Sequence, residues 1–211
     1  MEELRGCARE SLERARRQVG ETADPVDAET RVVDGYAGEE LCQQASRERA
    51  ALIAVGAHGG RRIAGVALGS VATMLLHDAP ASVLLTRTSF DPIAFPERIV
   101  VGFDGSEGAR HALDLASRLR ERARGSLSVL VATRDDEDGD LAELRRLAAP
   151  HQVEAHAGRP VEALVEAAET ADLLVVGARG VRGIRSLGSV SKRVAHRASS
   201  SVLVVRPQIS T

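Results

Sequence analysis

One pattern occurs twice in this chain, and a sequence that repeats itself at long range folds as related structural units. Leu173-Leu174-Val175-Val176-Gly177-Ala178-Arg179-Gly180 is followed by Leu187-Gly188-Ser189-Val190-Ser191. Upstream, Leu52-Ile53-Ala54-Val55-Gly56-Ala57-His58-Gly59 is followed by Ala67-Leu68-Gly69-Ser70-Val71. Each copy reads as a buried strand, a glycine-rich loop and a helix opening on Gly-Ser. That order sets main-chain N–H groups and a helix N-terminus where an anion could sit. Each copy then ends in a further apolar strand, 82–87 and 201–206. The first strands repeat at an offset of 121 residues (Gly56 to Gly177), but the Gly-Ser pairs at 119 (Gly69 to Gly188), so the second loop is two residues shorter.

The second unit reads completely. Residues 98–103 are an apolar strand that stops at Asp104-Gly105-Ser106, a turn into a helix. Ser106 suits the N-cap, and Ala109, Ala112, Leu113, Ala116 and Leu119 follow at helical spacing. Strand 127–132, polar loop 134–140, a short helix through Ala148, strand 152–157 and a helix from Pro160 to about 169 complete the run to Leu173. Alternating strand and helix predict a doubly wound parallel α/β sheet. The first unit offers only an amphipathic helix over 2–19, with Leu4, Cys7, Ala8, Leu12, Ala15 and Val19 on one stripe, then strand 30–33, helix 39–49 and strand 52–55. It lacks its first two strands, the Asp-Gly-Ser turn and the long helix. The expected organisation is an incomplete unit over 1–87, a proline-bearing linker over 88–97 and a complete unit over 98–207. Strand 30–33 has then lost its neighbour, and 52–55 becomes an exposed apolar edge. Either 30–33 slides in beside 52–55 as a reduced three-stranded sheet, or the natural chain starts further upstream.

Composition narrows the function. The 211 residues carry a formal net charge of −2, which recommends neither nucleic acid nor an anionic membrane. Aromatics are 2% of the chain, leaving few platforms for stacked bases. No apolar run approaches the ~20 residues of a membrane span. The N-terminus opens acidic and helical, without a signal-peptide layout, pointing to a cytoplasmic protein. Cys7 and Cys42 fall at apolar helix positions and read as reduced core thiols. The six histidines show no metal-ligand spacing; His77 and His196 correspond in the repeat and lie near helix C-termini, where they complement the dipole.

The two strand–loop–helix–strand copies resemble the universal stress protein family in its tandem two-domain form. The pattern of that family's nucleotide-binding branch is Gly, two residues, Gly, nine residues, then Gly followed by Ser or Thr. Gly56, Gly59 and Gly69-Ser70 meet it, whereas after Gly177 and Gly180 only seven residues precede Gly188-Ser189. The family's Asp at the end of the first strand is matched by Asp104. The resemblance implies Rossmann-like units of the nucleotide-binding α-hydrolase type, with strand order three-two-one-four-five. It also implies an ATP site at the strand-order reversal of the second unit alone. Asp104 and the main chain around Val131 would address adenosine; Gly177, Gly180, Gly188, Ser189 and Val190 would cradle ribose and phosphates. Arg179, Arg182 and Arg185 crowd the same loop and could pair with phosphate oxygens.

Local chemistry leaves a second reading open at each position. Asp104 can cap its turn, Gly177 and Gly180 can serve chain reversal, Ser189 can act as an N-cap, and the arginines can be a solvated face. The shortened loop can draw the amides of Gly188 and Ser189 away and weaken phosphate recognition more than adenosine recognition. The first unit keeps its glycines without an Asp, so no independent site is expected at Gly56, Gly59, Gly69 and Ser70 unless another chain supplies the wall.

The expected function is cytoplasmic stress response through regulatory nucleotide binding. No Gly-Lys-Ser/Thr loop and no Ser-His-Asp or Cys-His arrangement suggests turnover. Two rivals stand: a slow ATPase, which would need a Mg²⁺ ligand for which Asp104 is the obvious candidate, and a scaffold that binds no nucleotide. Residues 83–85 and 202–205 would be bare apolar edges, and the resemblance implies that they pair, within the chain as a pseudo-dimer or between chains as a homo-oligomer.

Overall fold

Runs of Val, Leu and Ile that alternate between two buried faces need helices on both sides, and the chain supplies them. The computed structural model describes residues 6, 10–14, 17, 28–58, 68–87, 95–133, 138–178 and 188–207. Its strands are β1 (Leu52–Gly56), β2 (Ser82–Thr86), β3 (Arg98–Gly102), β4 (Ser126–Thr133), β5 (Val153–Ala157), β6 (Leu173–Gly177) and β7 (Ser201–Val205). The helices are α1 (Ala37–Arg47), α2 (Ser70–Asp78), α3 (Glu107–Ala123), α4 (Asp138–Ala148), α5 (Pro160–Ala167) and α6 (Ser189–Arg197). All seven strands join one sheet in the order β1-β2-β7-β6-β3-β4-β5, parallel except where β2 meets β7. Taken alone, β3 to β7 have the order three-two-one-four-five. By compactness the chain divides into Met1–Glu40 and Leu41–Thr211, and the whole sheet lies in the second.

The strand period of two sorts each strand's side chains between two cores. Val100, Leu174, Val176, Val202 and Val204 pack with Leu75 and Leu76 of α2, Val161 and Leu164 of α5, and Val194 of α6. Ile99, Val101, Leu173, Val175, Leu203 and Val205 face the other way, against Ala109, Ala112, Leu113 and Ala116 of α3 and Ala148 of α4. The alanine-rich stripe on α3 lets that helix lie close to the sheet. Cys42 is half-buried beside the first core, where burial and the Asp78 carboxylate push its thiol up in pKa, against a smaller pull from Arg206. Cys7 lies outside the described residues. In the predicted 2–19 helix, residues 10–14 are helical, with Leu12 half-buried between exposed neighbours.

The strand expected over 30–33 does not form. Residues 28–34 are irregular, and Val32 and Val33 are 43% and 47% exposed. The physical reason is visible in the second repeat: among the described residues the corresponding strand, β5, is held by β4 alone, and the first repeat has no counterpart of β4. Strand propensity without a ladder partner specifies nothing. Nor does 30–33 slide in beside 52–55, because β1 is the terminal strand of the sheet. The first repeat therefore contributes two strands, not three, among the described residues.

The repeats meet within the chain, through their last strands. Val83, Leu84 and Leu85 pair with Val204, Leu203 and Val202, so Leu84 lies directly opposite Leu203. The joint is locked reciprocally. Arg87 N–H donates to Ser201 Oγ at 3.1 Å, and Arg206 N–H donates to Ser82 Oγ at the same distance. The Arg87 guanidinium donates to Ala195 O (2.8 Å) in the last turn of α6 and to Ser200 O (3.1 Å) just beyond it; that of Arg206 donates to Leu76 O (2.6 Å) and His77 O (3.3 Å) at the end of α2. Each repeat's terminal arginine thus caps the C-terminus of the other repeat's last helix, where carbonyls lack intrahelical partners and the dipole favours a cation. Hydrogen bonds from charged donors contribute about 1.5–3 kcal/mol each. Arg206→Met is expected to lower unfolding free energy by an amount in about that range, read from urea denaturation; an unchanged midpoint and slope would remove the arginine from this role.

His196 sits at the same joint, its pKa lowered first by burial and then by Lys192, His77 and Arg87. The sign follows from linkage. With the folded value depressed, the unfolded chain takes up the proton first, so stability held above the ordinary value of about 6.5 is lost as pH falls through the folded value. Urea midpoints should therefore fall between about pH 7.5 and 5.5, and His196→Gln should flatten that slope. An equal slope in the variant would assign it elsewhere.

Candidate functional site

The strand order reverses between β3 and β6: the chain leaves β3 towards β4 and leaves β6 towards β7. Beyond the C-terminal ends of such strands lies the crevice in which open α/β sheets bind ligands. The register brings the predicted residues to its rim. Gly102 pairs with Leu130 and Val101 with Val175, so Asp104, Val131 and Gly177 sit at the ends of three adjacent strands, spaced by about 4.8 Å per strand.

Asp104 is exposed, and its Oδ1 accepts from Ser106 N–H at 3.1 Å. Gly105 follows at φ +73°, where a Cβ would also lie 2.8 Å from Leu144 Cδ2. Ser106 is the N-cap of α3, its Oγ accepting from Ala109 N–H at 3.2 Å. Val131 is buried, and it pairs with Ala155 of β5. Its main chain follows Leu130, whose C=O accepts from Phe103 N–H at 2.9 Å. The turn-capping role of Asp104 is thus realised, with the carboxylate still turned to solvent.

Gly177 has a packing reason of its own. A Cβ there would lie 2.6 Å from Gly108 C, 2.7 Å from Gly108 O and 3.0 Å from Ala109 N, all main-chain atoms in the first turn of α3. The helix rests on the glycine. The Gly177 carbonyl accepts from the buried Ser191 Oγ at 2.6 Å, tying β6 to α6. Ser191 was not among the predicted site residues, although its place two residues after Ser189 is the only signal the sequence offers.

The shortened loop leaves its helix where the longer one does. Gly188 N–H donates to Ala178 O at 2.7 Å, and in the first repeat Gly69 N–H donates to Ala57 O at 2.8 Å. Both helices start from the same anchor despite the two-residue difference. Ser189 is not the N-cap. Gly188 takes that position in extended conformation (φ −60°, ψ 146°) and has no side chain to cap with; its N–H donates to Ala178 O and its C=O accepts from Lys192 N–H at 3.0 Å. Ser189 is exposed in the first turn and Val190 half-buried. First-turn N–H groups have no partner inside their own helix. Arg179, Gly180, Arg182, Arg185 and Gly59 lie outside the described residues.

Among the described residues no cluster of three His, Cys, Asp or Glu side chains could hold a metal ion, and no helix is long and apolar enough to cross a membrane. An open, doubly wound α/β sheet with a strand–loop–helix crevice at its reversal defines the class of protein. Residues 2–87 and 135–206 match the profile of the Universal stress protein family, and the chain belongs to that family. A universal stress protein of Mycolicibacterium smegmatis is 34% identical over 186 residues, covering 75% of this chain and 63% of that protein. Universal stress protein Rv2623 of Mycobacterium tuberculosis strain H37Rv is 30% identical over 190 residues, covering 76% of this chain and 63% of its own length. The chain thus spans less than two thirds of these relatives. A universal stress protein structure from Archaeoglobus fulgidus shares the fold, with a TM-score of 0.78 at 24% identity over 97% of this chain and 80% of that one.

The two loop glycines should respond differently to one methyl group. Gly177→Ala meets main chain at 2.6 Å and is expected to cost upward of about 2 kcal/mol. Gly56→Ala meets, among the described residues, His58 O alone at 3.1 Å and should cost less than about 1 kcal/mol. Thermal and urea unfolding of the two variants provide the comparison, and equal losses would remove the packing role assigned to Gly177.

Proposed function

We propose that the crevice between β3 and β6 binds an adenine nucleotide, with ATP the first candidate, and that binding regulates what the protein associates with. The observation that carries this reading is the start of α6. It follows β6 at the strand-order reversal with no side-chain cap, and an exposed aspartate, Asp104, follows the neighbouring strand β3. A helix start of this kind favours an anion, and phosphate oxygens would take the first-turn N–H groups of Ser189 and Val190. Gly188 sets the approach of that turn through its bond to Ala178 O. Asp104 and the main chain at Val131 would address the adenosine hydroxyls and base, and Arg179 with Gly180 would line the phosphate side. A bound ATP could bring Mg²⁺ with it. This reading takes 1–87 and 98–207 as tandem domains joined by 88–97, acting in the cytoplasm, with a single nucleotide site in the second.

A scaffold that binds no nucleotide is the second reading, and one observation favours it. Asp104 is bonded to Ser106 and Gly177 is packed under α3, so each has a structural use without a ligand. Isothermal titration of ATP, ADP and AMP, with and without Mg²⁺, separates the two. Nucleotide binding predicts saturable heat that Asp104→Ala weakens at least about tenfold, near 1.4 kcal/mol, with the circular dichroism spectrum unchanged. Absence of heat with all three nucleotides would overturn the nucleotide reading and leave the scaffold. Phosphate release above background that Asp104→Ala abolishes would instead point to ATPase activity.

A further inference from the structure

The two ends of α6 are held by different repeats. At its start, Gly188 N–H donates to Ala178 O at 2.7 Å and the buried Ser191 Oγ donates to Gly177 O at 2.6 Å, so the second repeat fixes that end to β6. The other end is held from the first repeat. Arg87, the residue that follows β2, donates from its guanidinium to Ala195 O at 2.8 Å and Ser200 O at 3.1 Å. Its main-chain N–H donates to Ser201 Oγ at 3.1 Å, so one residue grips the last turn of α6, the connection after it and the start of β7. Between the two sets of bonds lie nine helical residues, about 13 Å of hydrogen-bonded main chain.

So short a helix couples its ends in two ways. A phosphate at its start and a guanidinium at its end complement the same dipole. Without Arg87, the carbonyls of Ala195 and Ser200 lose that donor and the last turn loosens. A tilt of the helix then misaligns the N–H groups of Ser189 and Val190, and hydrogen bonds weaken steeply with misalignment. The joint also contains a control. Arg206 makes the matching bonds to Leu76 O and His77 O of α2 and to Ser82 Oγ. However, β1 and β2 run antiparallel to β6 and β7, so α2 begins at the opposite end of the sheet from α6. The two arginines are equivalent for the joint and unequal for the crevice.

We infer that Arg87, a residue of the first repeat, is a positioning residue for the phosphate side of the nucleotide site in the second repeat, acting by holding α6 from its far end. The inference rests on the nucleotide reading above and adds to it a route between the repeat joint and the site. Linkage makes that route reciprocal: whatever affinity the joint lends to the nucleotide, the nucleotide returns as stability of the joint.

The test is calorimetric titration of ATP and of adenosine into the full chain and into its Arg87→Met and Arg206→Met variants, each checked for an unchanged circular dichroism spectrum. Arg87→Met should weaken ATP at least about fivefold and leave adenosine, which has no phosphate for the helix start, unchanged. Arg206→Met loosens the same joint and should leave both affinities unchanged. Arg87→Lys keeps a cation at the helix end and should recover part of the loss. If methionine is not tolerated, Arg87→Lys against Arg206→Lys carries the same comparison. Three results overturn the inference and leave the nucleotide reading standing: wild-type ATP affinity in the Arg87 variant, an equal loss in the Arg206 variant, or equal losses for ATP and adenosine. Absence of heat with ATP in the unaltered chain overturns the nucleotide reading, and this inference with it.

Discussion

The antiparallel pairing of β2 with β7 is the contact on which the rest of the structure depends. Within each repeat the final strand would be an open edge of buried-type sequence, and open apolar edges invite uncontrolled association. Turning the two edges against each other removes both and makes the sheet continuous across the chain. The local twofold relation this creates explains why the supporting contacts come in pairs: two buried serines, Ser82 and Ser201, and two arginines that cross the joint to reach the opposite helix end. It also explains how a first repeat of two described strands persists. It inherits half of its support from the complete repeat beside it.

Two glycines at corresponding positions of the repeats have different physical surroundings. Gly56 and Gly177 both close a strand and open a glycine loop, but among the described residues a helix rests on the main chain of Gly177 and not of Gly56. Ser191, which ties α6 back to Gly177, corresponds to Ala72 in the first repeat, so that bond has no hydroxyl to form it there. A motif shared between repeats therefore marks shared ancestry of shape more securely than shared use. Of the elements around the candidate crevice in the second repeat, β6 and α6 are matched by β1 and α2 in the first, whereas among the described residues β3 and α3 have no counterpart there.

Most of the fold was legible because it rests on local rules. Strand and helix alternation, Pro160 at the start of α5 and the Ser106 cap of α3 each follow from one or two residues. Asp104, Val131, Gly177 and Gly188 could be placed at one rim because strand order converts sequence position into neighbourhood. What was not legible depended on tertiary context. The segment 30–33 has strand composition, but a ladder needs a neighbour that the described residues do not provide. Ser189 looked like a cap because serine usually is one, whereas the hydrogen bond between Gly188 and Ala178 settles where the helix begins. The crossed arginine caps were hidden for the same reason: Arg87 and Arg206 read as strand-end charges until the two repeats are set side by side.

The bonds from Gly188 to Ala178 and from Gly69 to Ala57 act as a pair of posts at the feet of each loop. The two ends of each loop are thereby fixed to each other where the chain leaves the sheet and enters the helix. A change in loop length is then absorbed by the loop and not passed on to the core, as the two repeats demonstrate with loops that differ by two residues. In evolutionary terms, this is a socket. Residues between the posts can be exchanged, lengthened or shortened to suit different ligands, while the stability of the surrounding protein stays outside the reach of that selection.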